Sequence, residues 1–87
     1  MYARTARDIG LILRDRRRSL HLTQAQLAER AGVSRPTVVR IETGRERAEL
    51  GVVLRLLAAA GLSVNLAPPP PPEIDLQEVL ARTRQGE

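Results

Sequence analysis

Apolar side chains recur every three or four positions through much of this chain, which is the spacing of amphipathic helices. A first helix is predicted from Thr5 to Leu20, with Ile9, Ile12 and Leu13 on one face and most of its arginines in solvent. Another is predicted from about Glu49 to Ala60. Two shorter helical patterns lie between them. The spacing therefore predicts a mainly α fold with four helices in its body.

Residues 23–44 hold the two shorter patterns, and each has its own start signal. Thr23 and Gln26 have the spacing of a capping box, in which each side chain hydrogen-bonds the backbone of the other residue, so a second helix begins there. Gly32 can take the left-handed conformation that ends a helix. Ser34 is then the expected N-cap of a third helix.

The predicted third helix has an apolar face and an outward face. Val38 and Ile41 are expected to point inward, and Gly44 stops the helix. The residues left outward are Arg35, Thr37, Val39 and Arg40. Two short helices joined by a tight turn form a helix-turn-helix, whose second helix lies in the DNA major groove. The alternative is an ordinary helical hairpin with a solvated basic face.

At these positions the chain resembles the Xre family of phage-repressor-like regulators. The matching residues are Thr23, Gln24, Leu27, Ala28, Ala31, Gly32, Val33, Ser34, Thr37, Val38, Arg40, Ile41, Glu42 and Gly44. The resemblance implies a phage-repressor-like helical bundle that binds double-stranded DNA. It also implies a buried structural ion pair between Arg17 and Glu42, and it places His21 where relatives often carry glycine.

DNA contacts are predicted from the outward face and from this resemblance. Arginine suits the edge of guanine, and the methyl groups of threonine and valine suit that of thymine. The residues expected to contact bases are Arg35, Thr37, Val39 and Arg40. The residues expected to contact phosphates, by the resemblance and by their places at helix ends and in the loop that follows, are Gln24, Ser34, Thr43, Arg45 and Arg47.

The predicted fourth helix is apolar on two faces. Its inner stripe is expected to be Leu50, Val53, Leu54 and Leu57, and its second stripe to be Val52, Leu56, Ala59 and Ala60. A helix with two apolar faces in so small a domain needs a second partner surface, and this predicts a dimer.

Residues 62–66 alternate apolar and polar side chains in the manner of a half-buried strand. A lone strand leaves its backbone groups unpaired, so we expect it to pair with its symmetry mate across a two-fold axis. An irregular coil packed on the fourth helix is the alternative. The predicted dimer interface comprises Val52, Leu56, Leu62, Val64 and Leu66.

A proline run divides the chain into a domain at 1–67, a linker at 68–72 and a tail at 73–87. The prolines favour polyproline II, which makes a semi-rigid spacer of roughly 15 Å. The tail predicts a short amphipathic helix that is too brief to be stable alone. Its expected anchors for a partner protein are Ile74, Leu76, Val79 and Leu80. A disordered or loosely docked tail is the alternative.

The charge of the chain is unevenly distributed. Residues 1–67 carry twelve arginines and six acidic residues, a net +6, whereas residues 68–87 carry two arginines and four acidic residues, a net −2. The basic body fits a polyanionic partner. Tyr2 is the one aromatic residue, so no stacking platform for single-stranded nucleic acid is expected. This favours duplex DNA over RNA.

Residues for catalysis and metal binding are scarce. The chain has no cysteine and one histidine, His21, which excludes thiolate ligands and a histidine-based zinc site within one chain. No nucleophile–base pair, phosphate-binding loop or dinucleotide fingerprint is recognisable, so neither an enzyme nor a cofactor is expected. No apolar run approaches the length needed to span a bilayer, and a soluble cytoplasmic protein is expected.

The predicted strand, dimer and tail narrow the resemblance to Xre-type antitoxins of the HipB type, which accompany HipA-type toxin kinases. This resemblance implies a homodimeric repressor that binds a palindromic operator, autoregulates its operon and binds its toxin. Two other interpretations stay open. One is an interaction module that chiefly inhibits a protein partner, and the other is a plain phage- or host-type repressor with no toxin.

Overall fold

The computed structural model describes residues 2–69 and 76–85. Its helices are α1 (Ala6–Ser19), α2 (Gln24–Ala31), α3 (Arg35–Glu42), α4 (Leu50–Ala59) and α5 (Leu76–Gln85). The mainly helical fold is confirmed, and α1 to α4 coincide closely with the four predicted helices. Most of the predicted proline linker, together with residues 73–75, lies outside the described residues.

The starts of α1 and α2 carry side-chain caps. The Thr5 hydroxyl accepts a hydrogen bond from the Asp8 N–H at 3.1 Å. Both bonds of the predicted capping box are present, because the Gln26 N–H donates to the Thr23 hydroxyl at 3.0 Å and the Thr23 N–H donates to the Gln26 side chain at 2.9 Å. Gly32 ends α2 with a φ of 69°. These contacts occupy backbone groups that helix ends otherwise leave unpaired, and so they fix the boundaries of α2.

The core lies where α1 to α4 meet. Its buried apolar residues are Leu13, Leu27, Ala28, Ala31, Val38, Ile41, Leu56, Leu57 and Ala60. The largest fully buried side chains are Leu13, Leu27, Val38 and Leu56, one from each of these helices. Because this core is aliphatic, it depends on close fit, and truncating one of these leucines to alanine is expected to cost about 2–5 kcal/mol.

The face that α4 turns to the core is only partly the predicted one, since Leu57 and Val53 of the predicted inner stripe pack there but Leu50 and Leu54 do not. Leu56 is fully buried, whereas Leu50 is 72% and Leu54 43% exposed. The assignment of Leu50 and Leu54 to the inner stripe is therefore wrong, and so is that of Leu56 to a dimer interface. Both stripes are apolar, so hydrophobic spacing could not choose between them.

Residues 62–69 follow α4 and belong to neither a helix nor a strand. Leu62 packs on the core, whereas Val64 is 52% and Leu66 91% exposed. The strand predicted at 62–66 was expected to pair with a second chain. The described part of this single chain contains no strand, and the pairing stays a prediction.

Gly10 brings α1 close to the end of α3. A side chain at this position would clash with the carbonyl oxygen of Ile41, and its Cβ would lie 2.8 Å from the carbonyl oxygen of Glu42. Both contacts are with backbone, which cannot move aside as a flexible side chain can. The absence of a side chain at Gly10 therefore sets the distance between α1 and the helix that carries the outward residues.

Candidate nucleic-acid interface

The outward face of α3 borders a groove of about 610 Å³, which we call the recognition groove. The residues that line it are Arg35, Pro36, Val39, Arg40, Thr43 and Arg45. Its three arginines are exposed, and none of the described residues that line it is acidic. The groove combines donors that suit the acceptors of guanine with apolar side chains that suit the methyl group of thymine.

Ser34 and Thr37 form a hydroxyl pair at the start of α3. The Thr37 N–H donates to Ser34 Oγ at 3.3 Å, which is the predicted cap, and the two hydroxyl oxygens lie 2.7 Å apart. Thr37 is half-buried and does not line the recognition groove. Because its hydroxyl already has a partner, Thr37 is better suited to a methyl contact than to a new hydrogen bond with a base.

Arg17 and Glu42 join α1 to the end of α3, as the resemblance implied. Arg17 donates to Glu42 twice, from Nε to Oε2 at 2.7 Å and from Nη2 to Oε1 at 2.9 Å. Its Nη1 donates to the Leu22 carbonyl oxygen at 2.9 Å. The Glu42 side chain is 3% exposed, and the hydrogen bonds it accepts raise the pKa of Arg17 above its ordinary value. The pair therefore links α1 to the end of α3, and the Leu22 contact of Arg17 holds the turn after α1 as well.

A second basic groove, of about 620 Å³, lies between the end of α1 and the start of α2, and we call it the α1–α2 groove. Gln24 lies in its wall and donates from Nε2 to Glu42 Oε1 at 3.4 Å. Arg35 lines both grooves, which makes them neighbours on one surface. The residues that line the α1–α2 groove are Arg17, Arg18, Thr23, Gln24, Ala25 and Arg35.

The loop after α3 carries the other residues predicted to contact phosphates. The Thr43 hydroxyl donates to the Arg40 carbonyl oxygen at 2.9 Å, and Arg45 lines the recognition groove. Arg47 is exposed and lines neither groove. Gly44 turns the chain between them with a φ of 81°. The fold therefore places Thr43 and Arg45 in the wall of the recognition groove and Arg47 farther along the loop.

Two arginines of α1 have surroundings that the sequence did not indicate, since both were expected simply in solvent. Arg16 donates from Nε to the Ala60 carbonyl oxygen at 2.9 Å and so ties α1 to the end of α4. Arg18 lines the α1–α2 groove. Helical spacing shows that such residues face outward, but it does not show which neighbouring element comes near.

His21 has a φ of 56°, a left-handed conformation that fits a position where relatives carry glycine.

The residues predicted for a dimer interface differ in exposure. The exposed leucines of α4 are Leu50 and Leu54, and the exposed Ala58 lies four positions farther along the same face. Of the predicted set, Val64 and Leu66 are exposed, Val52 and Leu62 pack partly against the core of their own chain, and Leu56 lies within that core.

α5 carries the predicted tail anchors that the structure describes. Leu76 is 71%, Val79 43% and Leu80 57% exposed. Ile74 lies outside the described residues. The helix runs to Gln85 and is longer than predicted. Neither α5 nor any other described helix has the length and apolar character needed to cross a membrane.

Comparisons with known proteins point to one domain type. A family model for a helix-turn-helix domain matches residues 8–69. The uncharacterized HTH-type transcriptional regulator y4mF of Sinorhizobium fredii is 36% identical over 66 residues, which are 76% of this chain and 87% of that relative. An uncharacterized HTH-type transcriptional regulator of Methanothermobacter thermautotrophicus is 42% identical over 50 residues, which are 58% of this chain and 72% of that relative.

Solved structures share the fold. A chain from a HipB-O4 20mer complex superposes with a TM-score of 0.73 and 19% identity, covering 78% of this chain and 96% of that one. A chain from the HipA-HipB-O2-O3 complex gives a TM-score of 0.73 and 19% identity over the same shares. At this level of identity, the likeness establishes the fold.

Proposed function

We propose that this chain, which belongs to the helix-turn-helix domain family of DNA-binding transcriptional regulators, represses transcription as a sequence-specific dimer. The observation that carries the proposal is the recognition groove. It presents Arg35, Arg40 and Arg45 together with the apolar side chains of Pro36 and Val39, on and just after the second helix of the motif. Among the described residues, none that lines the groove carries a negative charge that would repel a nucleic acid.

Base readout is assigned to α3. Arg35 is the first residue of α3 and Arg40 lies in its last turn, and both are proposed to donate to guanine. Val39 lies between them, and Val39 and Thr37 are proposed to contact thymine methyl groups. Phosphate contacts, which position the protein without reading sequence, are assigned to Gln24, Ser34, Thr43, Arg45 and Arg47.

The proposed dimer interface is the exposed apolar face of α4. Leu50, Leu54 and Ala58 recur every four residues along it and are all exposed. Exposed apolar patches of this kind mark interaction surfaces. Val64 and Leu66 are exposed just beyond the helix and are proposed to extend the interface. Leu56 is left out of this revised interface because its side chain is fully buried.

An antitoxin role is the proposed biological setting. Two observations support it: the domain has the fold of HipB, which was solved in a complex with HipA, and the chain continues past its domain into an amphipathic helix with exposed Leu76 and Leu80. We propose that this tail binds a HipA-like toxin kinase. An apolar helix face that enters a partner's groove is a common mode of recognition.

Readout by α3 is tested with two arginine variants. Duplexes tiled across the DNA upstream of its own gene would identify the bound site by footprinting, and titrations would then compare that site with a scrambled duplex. Arg40→Ala should cost about 1–3 kcal/mol on the site and relax preference at one base pair, because a base contact is lost. Arg45→Ala should weaken both duplexes alike. If Arg40→Ala lost equal affinity on both duplexes, Arg40 would not be one of the residues that contact bases.

The antitoxin role is tested with the product of the adjacent reading frame. Co-purification of that product with the full chain, together with operator binding, is the expected result. Operator binding without any protein partner would favour a plain repressor. Binding of the neighbouring protein without operator binding would favour an interaction module.

A further inference from the structure

Arg16 lines neither basic groove and instead reaches the end of α4. Its Nε donates to the Ala60 carbonyl oxygen at 2.9 Å, although the two residues lie 44 positions apart. Ala60 is the C-cap of α4 and is fully buried. Carbonyl groups at the end of a helix have no partner within it, and a cation suits the negative end of the helix dipole. Arg16 of α1 therefore closes the end of α4.

The same guanidinium group lies against the turn that follows α4. Gly61 has a φ of 73°, and a Cβ at this position would lie 3.2 Å from Arg16 Nη2. The Gly61 N–H donates to the Ala58 carbonyl oxygen at 2.9 Å, which closes the turn. The chain continues from here to Val64 and Leu66, two exposed residues of the proposed dimer interface. Arg16 therefore holds the point from which this part of the interface leaves the body.

α1 joins this end of α4 to the helix that is proposed to read bases. Arg17, the next residue along α1, is bound to Glu42 at the end of α3, and Gly10 brings the backbones of α1 and α3 close together. α1 packs chiefly on α3, whereas α4 packs chiefly on α2. The hydrogen bond of Arg16 is therefore a direct link between two helices whose main neighbours differ.

We propose that Arg16 is a positioning residue of the repressor dimer. Through α1 it fixes the interface, formed by the exposed face of α4 with Val64 and Leu66, relative to α3. Because each α3 must meet its own half-site, the angle between interface and recognition helix decides which half-site spacing the dimer accepts. This inference rests on the proposed function and adds to it a residue that sets its spacing selectivity.

The test compares three variants with the unmodified chain. Arg16→Met removes the donor and keeps an aliphatic side chain, and Arg16→Lys keeps a charged donor. Arg30→Met is the control, since it removes the same charge from an exposed residue in the last turn of α2 that lines neither groove. Each protein is titrated with the footprinted site, with that site carrying about 5 bp more between its half-sites, and with a single half-site. Should Arg16→Met unfold in thermal melts, Arg16→Gln is measured in its place with the same expected result.

The insertion should lower the affinity of the unmodified chain and of Arg30→Met at least about 100-fold. For Arg16→Met this ratio should be at least about tenfold smaller, because the two recognition helices are no longer held at one spacing. Arg16→Lys should recover most of the ratio. Affinity for the single half-site should stay within about twofold for every variant, and light scattering should still report dimers, because the exposed Leu50 and Leu54 are unchanged.

A ratio that Arg16→Met left unchanged, even with a lower melting temperature, would show that Arg16 only stabilises the fold, and the inference would be overturned. Loss of the dimer in Arg16→Met would also overturn it, because Arg16 would then support association itself. If the unmodified chain showed no dependence on spacing, the proposed dimer would fall together with this inference. The two kinds of failure are therefore distinguishable.

Discussion

At the scale of single residues, the carboxylate of Glu42 connects three helices of this fold. It accepts hydrogen bonds from Arg17 of α1 and from Gln24, the first residue of α2, while Glu42 itself ends α3. Removing a carboxylate from water costs free energy, and this cost is offset only while its hydrogen-bond partners stay in place. The same group therefore links the helices of the domain and orients the side chain of Gln24, which is a proposed phosphate contact.

Replacing Arg17 with alanine should lower the free energy of unfolding by about 3–5 kcal/mol, because Glu42 would be left as a buried charge without its partner. Urea unfolding at neutral pH would measure the loss. Arg30→Ala, at an exposed position, is the control and should change it by less than about 0.5 kcal/mol. The double variant Arg17→Met with Glu42→Leu should recover much of the loss. A small effect of Arg17→Ala would contradict the structural role.

Contacts between residues close in sequence were predictable, and contacts between distant ones mostly were not. The Thr23 and Gln26 cap and the Ser34 cap each join residues three positions apart, so the sequence contains both partners in a recognisable pattern. Arg16 meets the Ala60 carbonyl oxygen across 44 positions, and nothing in a helical repeat specifies that encounter. The ion pair of Arg17 came instead from a family resemblance.

At the scale of helices, α4 shows where periodicity is insufficient. Its two apolar stripes were both visible in the sequence, but an isolated helix pattern does not say which residues meet the body. Members of both stripes do, since Val53 and Leu57 of the predicted inner stripe pack there together with Leu56 and Ala60 of the second. The structure buries Leu56 and Leu57 and leaves Leu50 and Leu54 outward. The dimer stays a prediction, since the exposed Leu50 and Leu54 still call for a partner surface, but the residues proposed to form it change.

Leu54→Glu should therefore dissociate the proposed dimer and leave the protomer folded, because Leu54 is 43% exposed. Light scattering at tens of micromolar would report the mass, and circular dichroism the helix content. Leu56→Glu should behave differently and unfold the domain, since it would place a charge at a fully buried position. A dimer unchanged by Leu54→Glu would move the interface to another face.

The tail helix α5 is predicted to be dispensable for DNA binding. Truncation after Ala67 removes it with the proline linker, and operator affinity should stay within about twofold, a change under 0.5 kcal/mol. Binding of the adjacent frame's product should weaken, because exposed Leu76, Val79 and Leu80 would be lost. The variant Leu76→Glu with Leu80→Glu is a matched control in the full-length chain. A truncated protein that lost DNA binding and kept its partner would show that the tail supports the domain.

At the scale of the whole molecule, charge and symmetry act together. The body carries the net positive charge and both basic grooves, while residues 68–87 carry a net −2 and would be repelled by phosphate. A single copy presents one short recognition helix of eight residues, Arg35–Glu42. So short a helix contacts few base pairs, and two copies bound to one DNA would together contact twice as many.

A two-fold dimer should read a palindrome whose half-sites are about 10 bp apart or a multiple of that, because both recognition helices must meet the same side of the duplex. Inserting about 5 bp between the half-sites turns one of them to the opposite side, so affinity should fall at least about 100-fold, or roughly 2.7 kcal/mol. A scrambled spacer of unchanged length is the control and should bind nearly as well as the natural site. Titrations with Leu54→Glu extend the test, since the DNA affinity of a monomer should not change on insertion. If the insertion also left the affinity of the unmodified chain unchanged, its two copies would bind independently, and the symmetric arrangement would have to be abandoned.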